Sequence, residues 1–268
     1  MKQDILTLSH LCYAYDGDGS GNALQDLCFG IGKGEKIAIL GNNGAGKSTL
    51  FLCCNGVLKA KQGNIALHGQ TLDYKNKSLT KLRQAVSLVF QDADTQLLAG
   101  TVEAEVSFGP MNLNLPHIEV AQRVDTALTQ MGLCEYRTRA PHYLSGGEKK
   151  RITLADALAM HPDIMLLDEP TASLDAAHSA LLETHLDQLH QNGIALVIAT
   201  HDLDFTWRWA DRILLMHQGK LVADGSPEDI FADKNLLQTC GLCQPLLWQV
   251  GEALGIAPPR SIEELRTQ

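Results

Sequence analysis

Short apolar runs separated by polar, Gly-rich turns set the pattern of this chain. ILTLSH (5–10) predicts an opening strand and LCFGI (27–31) a second. The Gly/Asp-rich turn Asp16-Gly17-Asp18-Gly19 lies between them, so the start reads as an antiparallel edge. KIAIL (36–40) is a short strand that runs straight into GNNGAGKST, after which a helix must carry Leu50, Phe51 and Leu52. AVSLVF (85–90) predicts a further strand, and residues 101–132 read as helical with a break at Gly109-Pro110. IMLLD (164–168) and IALVIAT (194–200) are unbroken apolar runs, which suit parallel strands buried on both faces. The stretch from Ala176 to His190 between them has helical spacing, and ILLMHQGKLVADG (213–225) predicts a hairpin around Gln218-Gly219. Beyond Pro245, the residues Leu246, Leu247, Val250 and Leu254 fall on one face of a helix. Pro258-Pro259 ends it, and SIEEL starts a final short helix with Ser261 as its cap. Strands alternating with helices imply an α/β core, into which a helical block at about 91–160 is inserted.

Composition narrows the classes. The chain has 268 residues, 45% of them hydrophobic and 20% charged, enough for one large core without disulfides. A net charge of −9 argues against nucleic acid as a partner, since that needs phosphate neutralisation, and against electrostatic docking on anionic lipid. The seven cysteines show no framework; Cys53 and Cys54 sit together in an apolar helical stretch and read as reduced, buried thiols. Cys240 and Cys243 form a lone CxxC without the two further ligands that a zinc site needs. No apolar run approaches a bilayer span, and MKQDILTLSH has no signal-peptide pattern, so a protein outside the bilayer is expected.

The chemistry begins at Gly41. Gly41-Asn42-Asn43-Gly44-Ala45-Gly46-Lys47-Ser48 matches G-x-x-x-x-G-K-[ST], the P-loop, and sits between a strand and a helix as that motif requires. Glycines let the backbone N–H groups curl inward onto phosphate oxygens, and the helix start adds its positive dipole end. Lys47 can reach the β- and γ-phosphates, Ser48 offers a hydroxyl to Mg²⁺, and Thr49 supports the phosphates. Asp168 emerges at the end of the strand IMLLD, where it can hold the Mg²⁺ shell. Glu169 follows it, placed to act as general base or to orient the attacking water. ATP and Mg²⁺ are the expected ligands.

LSGGEKKR (144–151) is the most specific string, and upstream of IMLLDEP it resembles the signature sequence of the ABC ATPases. The resemblance covers essentially the whole chain. It implies an α/β P-loop NTPase with a RecA-like parallel sheet, an antiparallel β subdomain and an inserted α-helical subdomain, over residues 1–240. A C-terminal helical extension, 241–268, is expected to contribute dimer contacts. The resemblance further implies that Ser145, Gly146 and Gly147 of one subunit close over the γ-phosphate held by the P-loop of a second. Tyr15 matches the aromatic that stacks on adenine, with Tyr13 its close competitor. Gln91 matches the glutamine that touches Mg²⁺ and the attacking water, Asp175 the D-loop residue at the dimer seam, and His201 the histidine on the γ-phosphate. Glu148 stands where the signature often has Gln.

FQDADTQLLAGTVEAEVSFGPMNLNLP (90–116) is similar to energy-coupling-factor importers, especially cobalt/nickel ATPases of the CbiO type, although Ala93 replaces the usual proline. The shared residues are Gln96-Leu97, Thr101-Val102 and Phe108 to Leu113; APPRSIEEL also resembles the group's tail. The resemblance implies a homodimeric ATPase on the cytoplasmic face of the membrane that drives transmembrane partners, with cobalt, nickel or a vitamin as cargo. A non-transport ABC ATPase is the remaining alternative, but the chain has neither a long coiled coil nor a second P-loop. This apolar stretch could also line a groove for an amphipathic coupling helix.

Overall fold

A computed structural model describes residues 4–16 and 22–267; Gly17, Asp18 and Gly19 of the predicted Gly/Asp turn fall outside them. Ten strands run in chain order among these residues: β1 (Asp4–Tyr13), β2 (Leu24–Gly32), β3 (Lys36–Leu40), β4 (Gln62–Leu67), β5 (Gln70–Thr71), β6 (Val86–Val89), β7 (Ile164–Asp168), β8 (Ala195–Thr200), β9 (Arg212–His217) and β10 (Lys220–Gly225). β2-β1-β4-β5 form an antiparallel sheet. The second sheet has the order β10-β9-β3-β8-β7-β6, parallel throughout except for the edge hairpin β9-β10.

The unbroken apolar runs become the middle of the parallel sheet because both of its faces are covered. Side chains alternate between two cores along each strand, as the pleat demands. Met165, Leu167, Leu196 and Ile198 join the core shared with the helical insertion. Ile164, Leu166, Ala195 and Val197 join the core shared with the antiparallel sheet, which includes Cys53 and Cys54. Burial pushes the Cys53 thiol up to about 12, and the Cys54 thiol rises for the same reason. Both thiols are therefore inert at neutral pH.

The insertion packs three helices, Val102–Asn112, His117–Gln130 and Gly146–Ala159, against one another. Its break differs from the sequence reading. The first helix continues through Gly109 and Pro110, and the chain turns only at 113–116. Pro110 sits in the last turn of that helix, and Gly109 is there for contact. A Cβ on Gly109 would stand 2.5 Å from the Met160 sulfur.

The C-terminal helix, Leu246–Leu254, also corrects the expectation. Its buried face is Trp248 and Gly251, whereas Leu246 and Leu254 are each 63% exposed. Trp248 meets the Trp207 ring edge-on at 4.9 Å, and a Cβ at Gly251 would lie 2.7 Å from Pro258. The proline pair thus folds back over the helix, and Trp207 Nε1 donates to the Pro259 carbonyl at 2.8 Å. One large ring and one missing side chain decide the face, which counting aliphatic positions does not see. The final helix, Ile262–Thr267, is capped as expected, the Glu264 N–H donating to Ser261 Oγ at 3.1 Å. Among the described residues, no helix is long and apolar enough to cross a membrane.

Candidate functional site

The P-loop closes around a cleft of about 630 Å³. Its walls include every residue from Asn42 to Thr49, together with Tyr15, Gln91, Asp168 and Glu169. β3 delivers Gly41, and the helix Lys47–Cys54 leaves from the far end of the loop. Gly46 needs to be glycine on two counts. Its φ of 103° is left-handed, and a Cβ there would stand 2.8 Å from the Ala23 carbonyl. The loop is locked from outside as well. The Gly219 N–H donates to Ala45 O at 3.1 Å, and the Asn42 amide donates to the Cys240 carbonyl at 2.7 Å.

Four charged or polar side chains meet at the floor. Lys47 Nζ donates to Gly41 O at 2.6 Å and lies 3.8 Å from Glu169 Oε1. Burial lowers the Lys47 ammonium below its usual value, while Glu169 and Asp168 pull it back up. Burial likewise raises the Asp168 carboxyl, opposed by a hydrogen bond from Ser48. Glu169 is buried at the end of β7 with φ of 42°, an uncommon conformation for a side-chain-bearing residue. Its N–H donates to Ala199 O at 2.8 Å, which fixes that turn. His201 Nδ1 sits 2.9 Å from Glu169 Oε1, and the Thr200 hydroxyl donates to Oε2 at 3.3 Å. Such strain at the mouth of a cleft is typical of functional positions.

Tyr15 and Tyr13 separate clearly. Tyr13 is buried under the first sheet, and Tyr15 faces the cleft with its hydroxyl 3.1 Å from Thr49 Oγ1. The two rings meet edge to face at 5.1 Å.

Ser145, Gly146, Gly147 and Asp175 do not line this cleft. Ser145 caps the helix Gly146–Ala159 in a full capping box. Its N–H donates to Glu148 Oε2 at 2.7 Å, and the Glu148 N–H donates to Ser145 Oγ at 3.3 Å. Those contacts hold the Glu148 carboxyl below its ordinary value and explain why Glu serves where Gln is common. A Cβ on Gly147 would stand 2.2 Å from the His178 ring, and His178 is in turn held by Asp175 at 2.8 Å. Gly146 faces open space. The helix start is therefore held in shape by its capping box, with Ser145 and Gly146 exposed.

Sequence reasoning missed Lys150. It lies on the buried face of the signature helix Gly146–Ala159 and donates to the carbonyls of Phe90 at 2.8 Å and Gln91 at 3.1 Å. Burial brings its ammonium down to about 8. The run Lys149-Lys150-Arg151 after the signature counts in the sequence only as a weaker likeness to the energy-coupling group, which gives Lys150 no role. Lys150→Met should leave two carbonyls without their donor and destabilise the fold by about 1–3 kcal/mol. A urea midpoint equal to that of the parent chain would contradict this anchoring role. Ala23, Gln25, Gln218 and Gly219 also line the cleft, brought in by tertiary packing that no local motif records.

A strand-to-helix phosphate loop, an acidic pair at the end of the neighbouring parallel strand and a separate Ser-Gly helix start define a nucleotide-binding P-loop ATPase. The family model described as ABC transporter matches residues 24–172, and the chain belongs to that family. It is 43% identical over 252 residues to the energy-coupling factor transporter ATP-binding protein EcfA2 of Methanospirillum hungatei, covering 94% of this chain and 63% of that protein. The chain thus spans less than two thirds of that relative's length. It is 44% identical to the energy-coupling factor transporter ATP-binding protein EcfA of Methanothermobacter thermautotrophicus, covering 90% of this chain and 77% of that one. Among solved structures, cbiO1 from Clostridium perfringens, described as part of the ABC transporter complex cbiONQ, superposes with a TM-score of 0.79 at 38% identity. That match covers 95% of this chain and all of the other. The dimeric, post-hydrolysis ATP-binding cassette MJ0796 with ADP and Pi gives 0.74 at 26% identity, covering 83% and 98%.

Proposed function

We propose that this chain binds and hydrolyses ATP as one half of a head-to-tail dimer that drives uptake through membrane subunits. One observation carries the reading: the phosphate cleft and the helix start suited to closing it are both present, but apart. Two chains in antiparallel arrangement bring Ser145, Gly146 and Gly147 of each over the P-loop of the other, with Asp175 at the seam. The partner is a second copy or a related ATPase subunit. The tail, residues 241–268, adds to the contact through Leu246, Leu254 and Ile262, which are exposed on its surface. Light scattering of the Glu169→Gln chain tests this: Mg-ATP should convert it from monomer to dimer, and a monomer at saturating nucleotide would refute it.

The donor set fits Mg²⁺, because the Ser48 hydroxyl, the Asp168 carboxylate and the Gln91 amide are hard oxygen ligands. Asp168, raised by burial, gains from a neighbouring cation. When bound, the ion neutralises charge on the β- and γ-phosphates. Lys47 turns from Gly41 O to the phosphates. Glu169, held on one oxygen by His201 and on the other by Thr200, orients water for in-line attack and receives its proton. His201 and the opposing Ser145 steady the charge that develops on the γ-phosphate. Tyr15 carries the adenine. Tyr15→Ala should lower ATP affinity by about 1–3 kcal/mol, the usual scale for base stacking, and Tyr15→Trp should retain it. Equal affinities in fluorescent-nucleotide titrations would remove Tyr15 from the site.

The membrane partner fits the groove of about 530 Å³ between Phe90, Phe108, Leu113 and Asp156. Phe108 and Met111 stand exposed beside it, and an amphipathic coupling helix would cover them. A chain docked in this way works at the cytoplasmic face of the membrane. Cobalt or nickel is the proposed cargo, supported by the likeness to cbiO1; a vitamin is the alternative, since cargo is chosen by the membrane subunits. Pull-down of the ATP-locked chain from native membranes distinguishes them by the membrane proteins recovered.

A further inference from the structure

We propose that His10, Asp26 and Cys28 form a site for one divalent transition-metal ion on the outer face of the antiparallel sheet, separate from the Mg²⁺ position. The Nδ1 or Nε2, carboxylate and Sγ atoms of the three all lie within 4.8 Å of one another. Ligands at bonds of about 2.0–2.3 Å around a four-coordinate ion are separated by roughly 3.5 Å, so small side-chain rotations bring these three together. Nitrogen and sulfur donors select ions of the zinc, cobalt and nickel class over Mg²⁺, which takes oxygen. A thiolate and a carboxylate supply two negative charges for the dication, and water completes the coordination.

The local backbone is arranged for this. β1 and β2 pair with register shifts on both sides of Leu11, so a residue is squeezed out of the ladder on each strand. His10 (φ 51°) and Asp26 (φ 54°) are both left-handed there. The third strand gives way as well, since a Cβ on Gly63 would stand 2.2 Å from the His10 carbonyl. The bulge frees the His10 N–H to donate to Cys28 Sγ at 3.1 Å. The Asp26 N–H likewise donates to the neighbouring Cys12 Sγ at 3.2 Å. His10 Nδ1 already points at Asp26 Oδ1, at 2.8 Å. Two strained residues, each offering a ligating side chain and turning its N–H onto sulfur, set this cluster apart from an ordinary surface ion pair.

Co²⁺ alone is the probe, because sulfur ligation gives a near-ultraviolet charge-transfer band that oxygen sites lack. The chain is used with its other exposed thiols, Cys134 and Cys243, changed to Ser. The band should saturate at one equivalent, and Co²⁺ should raise the thermal midpoint. His10→Ala should weaken binding on the order of tenfold or more, and Cys28→Ser should abolish the band. Nucleotide affinity measured without Co²⁺ should be unchanged in both variants, which shows that they fold. No band in the parent, or a band of equal affinity in His10→Ala, overturns the proposal and leaves His10 and Asp26 as an ion pair only.

Discussion

Glu169→Gln lowers ATP turnover by about 10²–10⁴-fold, the usual scale for a lost general base, and leaves ATP binding intact. The side chain is buried and its two oxygens are held from different sides, by His201 Nδ1 at 2.9 Å and the Thr200 hydroxyl at 3.3 Å. The amide is isosteric and preserves the cleft, so the loss falls on proton transfer and not on shape. Lys47 at 3.8 Å loses one counter-charge but keeps its bond to Gly41 O. Single-turnover hydrolysis should fall in parallel with the steady state. Normal turnover in this variant would move the base elsewhere. His201→Ala, which frees Glu169 Oε1, should lower turnover with little effect on nucleotide affinity, since His201 lies outside the cleft walls.

Inactive Lys47→Ala and Ser145→Arg chains recover activity when mixed. Lys47→Ala removes the cation of the P-loop and leaves its own signature whole. Ser145→Arg blocks the signature with a bulky cation, destroys the capping box and leaves its own P-loop whole. In a mixed dimer the good loop of one chain faces the good signature of the other, giving one complete site out of two. Random pairing of symmetric dimers then restores about a quarter of the parent rate if the sites act independently. A single chain cannot show this behaviour, because Ser145, Gly146 and Gly147 stand away from its own cleft. Zero recovery would mean that both sites must fire together, and the ATP-induced dimer seen by light scattering would distinguish that from failure of the pairing. Full activity in either variant alone would refute the shared site.

The parts of the site that the sequence exposed are those built from contiguous residues. Gly41 to Ser48 is legible because one turn of backbone makes the whole cradle, and Asp168 and Glu169 because the apolar run before them fixes where the strand ends. The signature was legible for the same reason. Contacts across the fold were not. Lys150 hides in a charged run, yet tertiary packing buries it under the carbonyls of Phe90 and Gln91. Tyr13 ends β1 and Tyr15 lies just past it with the two rings in contact, and only the cover over Tyr13 decides between them. Gly109-Pro110 reads as a breaker, but there the glycine serves a helix contact. The buried face of the last helix is set by Trp248 and Gly251 because of partners that lie far off in sequence, Trp207 and Pro258.

The hydrogen bond from Asn42 to the Cys240 carbonyl joins the rim of the phosphate loop to the hinge of the tail. Gly241 crowds the same amide, at 2.9 Å from where its Cβ would be. The tail is thereby a handle on the motor. A neighbour that moved the tail would pull through this bond on the loop that grips phosphate, and any such coupling would run equally in reverse. A partner docked on the tail would thus sense the nucleotide without ever touching it.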